Sequence, residues 1–197
     1  MIIGICGLAG SGKDTVANYL IKNNDFKKLS FAGILKDIVA KIFDWDRKLL
    51  EGDTQESRKW RETEDEWWSN KLGKKITPRL MLQNIGTDVM RNHLHSDIWL
   101  ICVEKQLSKY KNVVITDCRF SNEVEMIKRN KGYIINIIRN KPEWFDNYLI
   151  NDILPPSSVH ESEYLWIKNK HDYSINNTLG ISELESEVKN LFNSIMV

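Results

Sequence analysis

The feature that most constrains this chain lies at its start. Ile2 to Cys6 is a short apolar, strand-prone run, and it leads directly into Gly7-Leu8-Ala9-Gly10-Ser11-Gly12-Lys13-Asp14-Thr15. Val16, Leu20 and Ile21 then recur at helical spacing. The order is strand, glycine-rich turn, helix. A continuous apolar strand reads as buried on both faces, as in a parallel sheet. The turn matches Gly-x4-Gly-Lys, a pattern that lets consecutive backbone N–H groups converge on phosphate oxygens with no Cβ in the way. The following helix points its N-terminal dipole at the same anion, and Lys13 supplies a point charge to the terminal phosphates. One position departs from the usual pattern: Asp14 stands where Ser or Thr normally follows the lysine, and Thr15 comes next. Two readings stay open: the Asp14 carboxylate holds a metal through water, or Thr15 takes the α-phosphate instead.

Further along, alternating strands and helices fit a parallel sheet with right-handed crossovers. Strands are expected at residues 26–31, 113–117, 133–138 and 172–175. Ile34, Leu35, Ile38, Val39, Ile42 and Phe43 form an apolar helical stripe, and helices are also expected from Thr77-Pro78, at 98–107, at 122–131 and at 181–192. Residues 44–75 are charged and carry Trp45, Trp60, Trp67 and Trp68, so they read as an inserted, partly exposed helical segment. Residues 140–156 read as irregular and as a mobile lid. Asp117, at the end of an apolar strand downstream of a phosphate turn, fits a carboxylate that orients Mg²⁺ or a reacting group.

The balance of 28 Lys+Arg against 27 Asp+Glu leaves a formal charge of +1 in 197 residues, which argues against a nucleic-acid partner. A small anionic substrate is still served if a cleft gathers positive charge. Cys6, Cys102 and Cys118 show no metal spacing and read as reduced, buried thiols. His93 and His95 read as surface residues. No apolar run approaches the ~20 residues that span a bilayer, so no membrane partner and a cytoplasmic location (a host-cell cytoplasm if the source is viral) are expected.

Several strings carry a family likeness. In order they are GLAGSGKDT from Gly7 to Thr15, Ser30-Phe31-Ala32 with Leu35-Lys36, Thr77-Pro78-Arg79 running to Gly86-Thr87-Asp88, Asp97-Ile98-Trp99, and Thr116-Asp117-Cys118-Arg119-Phe120-Ser121-Asn122-Glu123. The chain resembles the deoxynucleoside monophosphate kinases of phages and large DNA viruses, well over residues 1–139 and more loosely beyond, through His160-Glu161-Ser162-Glu163 and the closing segment. The resemblance implies an α/β P-loop kinase fold of three α/β/α layers with a parallel sheet, a helical monophosphate-binding insertion and a lid. It implies one domain over 1–197, with a core of 1–31, 98–139 and 172–197, a helical part at about 32–97 and a lid at about 140–171. The activity implied is transfer of the ATP γ-phosphoryl group to a deoxynucleoside 5′-monophosphate (dNMP), giving dNDP and ADP, with Mg²⁺.

Carried onto matching positions, the resemblance makes Gly10, Ser11, Gly12, Lys13, Asp14 and Thr15 the ATP-phosphate residues. Lys36, Arg79, Gln83, Gly86, Thr87, Trp99, Asp117, Arg119 and Glu123 become the dNMP site, with Glu123 supporting Arg119. Lys13, Arg119 and Asp117 become the catalytic group, and Asp14 the metal contact. Chemistry agrees in kind: bringing two polyanions together needs converging cations, Arg for bidentate phosphate contacts and Lys as a point charge. Gln83 and Thr87 share a helix face with Arg79 at i, i+4 spacing. Trp99 is expected to stack a base or to sit beside C2′ and so favour deoxy sugars; a core aromatic is the other reading. Arg61 and Trp68 belong to the insertion, and the turn at residues 176–180 to adenine. Lys13→Ala is expected to abolish transfer and leave the fold intact. The alternatives are a kinase of phosphomevalonate or dephospho-coenzyme A type and a non-catalytic nucleotide-binding module. The sequence leaves oligomeric state open, a homodimer included.

Overall fold

The computed structural model describes residues 1–159 and 161–196, with only the backbone of Met196, so His160 in the 160–163 string lies outside the described residues. The chain divides into two compact units, Met1–Ser30 with Glu104–Val197, and Phe31–Val103.

The first unit is built on five parallel strands. These are β1 (Ile2–Cys6), β2 (Lys27–Leu29), β3 (Val113–Ile115), β4 (Tyr133–Ile138) and β5 (Tyr173–Asn176), in the spatial order β2-β3-β1-β4-β5. The register pairs Gly4 with Ile115 on one side and with Ile134 on the other. Helix α1 (Lys13–Asn24) and the C-terminal helix Ile181–Met196 cover one face, where Ile3, Ile5, Val114, Ile135, Ile137 and Ile175 meet Val16, Leu20, Leu184 and Val188. Alternate residues of the same strands face the other way, toward the helix Ser121–Arg129. That helix packs so close that a Cβ on Gly4 would come within 2.5 Å of Ile127 Cδ1, 2.9 Å of Ile134 Cδ1 and 3.0 Å of Cys118 Sγ, so a larger residue at the centre of the sheet would displace those side chains. Helices on both faces explain the continuous apolar strands.

The strands at residues 26–31 and 113–117 are shorter than expected, because pairing stops at Leu29 and Ile115. Residues 140–156 are not irregular throughout. Trp144–Asn151 is helical, with Phe145 tilted against Trp166 and Tyr148 edge-on to Tyr164. Burial of those rings supplies the apolar face that the Pro and Asn content had obscured.

The second unit is helical. It contains α2 (Gly33–Phe43), α3 (Gln55–Glu62), α4 (Glu66–Leu72) and α5 (Pro78–Gln83), then a π-helix at Asn84–Leu94 and the start of α6 (Ile98–Leu107). The chain-order labels continue as α7 for Ser121–Arg129, α8 for Trp144–Asn151 and α9 for Ile181–Met196. Helix α3 starts at a Thr54–Ser57 capping box, and α5 at Thr77, whose hydroxyl accepts from Leu80 N, with Pro78 in the first turn. Leu35, Val39, Phe43, Leu50, Ile76, Met81 and Trp99 form the core. Trp45, Trp60 and Trp68 pack around it as partners of Phe43 and of one another, so the tryptophan-rich insertion has its own aromatic packing.

Candidate functional site

In the first unit β1 ends at Cys6 and the chain turns through Gly7, Gly10 and Gly12 at φ of +152°, +76° and +105° before α1 begins. A Cβ at Gly10 would meet nothing within 4 Å, which marks the open side of the turn. A Cβ at Gly12 would come within 2.6 Å of Asn177 Nδ2, so here the turn is packed against the chain beyond β5. At the start of α1 the first N–H groups have no partner inside the helix. Together with the dipole they form the anion-binding end of the turn. Ser11 is buried in the turn.

Lys13 folds back over this turn, and its Nζ donates to the carbonyls of Gly7 and Leu8, both at 2.8 Å. Burial, and then the charge of Arg119, lower its pKa below the ordinary lysine value, against the pull of Asp14 and Glu163. Two cations within each other's field, with nearby carboxylates offsetting only part of it, make a site that favours an anion.

Asp14 receives Lys28 Nζ at 2.8 Å. Burial pushes its pKa up, but hydrogen bonding and charge from Lys28, with Thr116 and Lys13, leave it below the usual carboxylate value. It is therefore ionised at neutral pH and sits on the first turn of α1. Asp117, just past β3, accepts from Ser30 Oγ at 2.7 Å. Arg119 Nη1 donates to Glu163 at 2.6 Å and reaches Ser162 Oγ at 3.4 Å. The Glu123 carboxylate is buried and accepts the backbone N–H of Arg119 at 2.7 Å and of Phe120 at 3.1 Å. Glu123 thus supports Arg119 through its main chain, fixing the turn from which the guanidinium projects.

In the second unit Arg79 and Gln83 line one cleft of about 320 Å³ with Glu62, Lys75, Thr77 and Leu80. Arg79 pairs with Glu62 at 2.8 Å, and Lys36 with Glu51 at 2.6 Å. Arg61 is half-buried; burial, then neighbouring Arg79, lower its pKa, with Glu62 opposing. Thr87 is exposed on the π-helix. The wide turn there replaces the ordinary helix that i, i+4 spacing predicts, and Gly86 O inside it accepts Trp99 Nε1 at 3.0 Å. Trp99 is 3% exposed and belongs to the unit's core. This burial agrees with the core-aromatic reading of Trp99.

The structure therefore gathers Lys13, Asp14, Asp117, Arg119 and Glu123 in the first unit, and Lys36, Arg79, Gln83, Gly86, Thr87 and Trp99 in the second. Sequence reasoning missed specific partners. Lys28 had no role, Ser30 and Glu163 appeared only within strings, and Asn177 only within the turn assigned to adenine. Each lies far in sequence from the group it holds, so no local pattern announces it. His93 and His95 are exposed, and Cys6 and Cys118 are buried free thiols. Among the described residues no three His, Cys, Asp or Glu side chains cluster to hold a metal, and no helix is long and apolar enough to cross a membrane.

A parallel sheet that delivers a glycine turn, a lysine and an arginine to one anion-binding end is suited to moving phosphoryl groups, and the molecule is a phosphotransferase of the phosphate-loop class. Comparison with known proteins narrows this. Residues 48–175 match the family model described as deoxynucleotide monophosphate kinase, and the chain belongs to that family. It is 36% identical over 153 residues to a protein of Acanthamoeba polyphaga mimivirus carrying the provisional name deoxynucleotide monophosphate kinase, covering 71% of this chain and 74% of that one. It is 25% identical to the deoxynucleoside-5′-monophosphate kinase of Escherichia phage T5, covering 96% and 95%. Among solved structures, shikimate kinase from Aquifex aeolicus is similar at 16% identity, with 100% of this chain and 98% of that one covered and a TM-score of 0.48.

Proposed function

We propose that this chain transfers the γ-phosphoryl group of ATP to a deoxynucleoside 5′-monophosphate, giving dNDP and ADP. The observation that carries the reading is that the parallel neighbours β1 and β3 lead into Lys13 and Arg119 at the same edge of the sheet, with the Arg119 charge helping to lower the Lys13 pKa. Two like charges so placed repel, and an anion bound between them relieves that repulsion.

The N–H groups of the turn and of the α1 N-terminus bind the phosphates of the donor. The open side of the turn at Gly10 leaves room for them. Lys13 exchanges its two carbonyl partners for the terminal phosphate. Arg119 exchanges Glu163 for the transferring group, where a planar guanidinium makes two parallel contacts. Asp117, held by Ser30, orients groups beside the phosphates. No covalent enzyme intermediate is needed; positioning and electrostatic stabilisation carry an in-line transfer.

The residues also fit a magnesium ion. Mg²⁺ takes one or two carboxylates, phosphate oxygens and water rather than an all-protein cage, and Asp14 is an ionised carboxylate at the phosphate end of α1. When bound, the ion would neutralise charge on the donor phosphates. In the second unit, Arg79 and Gln83 of the 320 Å³ cleft and Lys36 hold the acceptor. Residues 140–171 act as a lid that excludes water.

The test is a coupled ADP-release assay with Mg-ATP, run in parallel with dTMP, dGMP, dCMP, dAMP and GMP. ADP formation that depends on a deoxynucleotide acceptor is the expected result. ADP formation indifferent to every acceptor, or ATP binding with no transfer, refutes the reading.

A further inference from the structure

Asn177 follows β5 directly. Its backbone N–H donates to Ile138 O at 2.8 Å, which extends the β4–β5 pairing by one residue. Its side chain is buried, and Nδ2 donates to Ser11 O at 2.8 Å across 166 residues of sequence. The same nitrogen is the atom that a Cβ on Gly12 would strike. The end of the sheet is thus pressed against the centre of the glycine turn by one amide.

This contact orients more than a carbonyl. No peptide bond among the described residues is cis. In a planar trans peptide the C=O of one residue and the N–H of the next point in opposite directions. Holding Ser11 O toward Asn177 therefore aims the Gly12 N–H the other way, off the sheet side of the turn. Lys13 acts likewise on the preceding peptides by holding Gly7 O and Leu8 O, and Ser11 N–H donates to Leu8 O at 3.2 Å. The difference is that Lys13 is itself a phosphate ligand in the proposed reaction and gives up its carbonyl partners on binding. Asn177 is the buried, neutral partner that stays.

We infer that Asn177 is a positioning residue: it holds the glycine turn in its anion-binding shape by fixing the Ser11–Gly12 peptide, and so tunes affinity for the donor nucleotide without touching it. The inference rests on the reading of the turn as the ATP-phosphate site.

The experiment uses the full chain with Asn177→Ala and Asn177→Asp. The aspartate has the same shape but cannot donate when ionised, and it sets a carboxylate against Ser11 O. Three quantities are measured: Mg-ATP Kd by calorimetry without acceptor, KM for ATP and for the acceptor, and Tm. Loss of one buried hydrogen bond from the binding-competent shape corresponds to about a tenfold rise in ATP Kd and KM. Acceptor KM should stay within about twofold. A residue that only stabilises the fold would lower Tm and active fraction but leave Kd and KM for ATP unchanged. Unchanged ATP Kd in the aspartate variant overturns the inference, whatever the alanine variant does. Absence of acceptor-dependent ADP release in the wild type refutes the proposed function instead, and the calorimetric ratio still decides the role of Asn177. A wild type that binds no ATP refutes both.

Discussion

Replacing Lys13 tests the phosphate turn most directly, and the structure changes what to expect of it. Residue pattern alone predicts that Lys13→Ala removes activity and spares the fold. In the structure Nζ makes two hydrogen bonds of 2.8 Å to Gly7 O and Leu8 O. Hydrogen bonds from a charged donor contribute roughly 1.5–3 kcal/mol each in favourable settings. Leu8 is half-buried and Ala9 exposed, so water can replace part of the loss. The burial that lowers the lysine pKa also means that removing the charge relieves some desolvation cost. A net loss of about 1–3 kcal/mol follows, or a Tm lower by roughly 3–10 °C for a chain of this size. Activity should fall much further, by on the order of a hundredfold to a thousandfold, as for removal of a preorganised charge at a transferring group. Lys13→Met, which keeps an apolar stem, should lose as much activity and less stability. The assays are thermal unfolding and coupled ADP release on the same samples. If Lys13→Ala melts within 1 °C of wild type, the carbonyl contacts carry no energy. If it keeps a tenth or more of the activity, Lys13 does not act on the transferring group.

Three further outcomes are expected. Trp99→Phe loses the bond to Gly86 O and leaves a buried acceptor, so Tm should fall by several degrees (about 1–3 kcal/mol); the ratio of dGMP to GMP turnover should stay the same, and a threefold change in that ratio would restore a sugar-sensing role. Glu163→Gln frees Arg119 from a pair that is 42% and 33% exposed; since such pairs contribute at most about 1 kcal/mol, kcat/KM should rise by no more than about fivefold, and a tenfold fall would place Glu163 in the chemistry. Asp172 accepts from Lys128 and from Ile134 N–H, and although burial pushes its pKa up, these partners leave it below the usual value. Its contribution is therefore complete above the unfolded pKa of 3.8 and is lost as pH falls through the lower folded value. Urea unfolding at pH 7, 4 and 3 should show a shallower acid loss in Asp172→Asn, and an identical slope would contradict the sign.

The legible part of this molecule is local. The strand, turn and first helix follow from apolar periodicity, glycine and lysine over fifteen residues, and the structure has β1 and α1 at those places. The helical stripe that became α2, the Thr77-Pro78 start of α5 and the strand β4 were read from spacing and capping alone. Where short-range pattern was weak, the reading erred. Residues 144–151 look irregular until Phe145 and Tyr148 find Trp166 and Tyr164. The segment after Gln83 looks like ordinary helix, yet it runs as a wide π-turn that holds Gly86 O within reach of Trp99.

By itself the sequence determined the class of site: glycines that clear a cradle, a lysine at the head of a helix, and an arginine two residues after an aspartate that follows an apolar strand are chemical requirements written in neighbouring residues. Tertiary structure alone decided which partner each of those groups has. Glu163 meets Arg119 across 44 residues, and Asn177 meets Ser11 across 166. Trp99 turned inward because its indole had a buried carbonyl to satisfy and a core to fill. Local propensity sets φ and ψ a few residues at a time, whereas these contacts depend on strand order and packing, which only the assembled sheet and the filled cores impose.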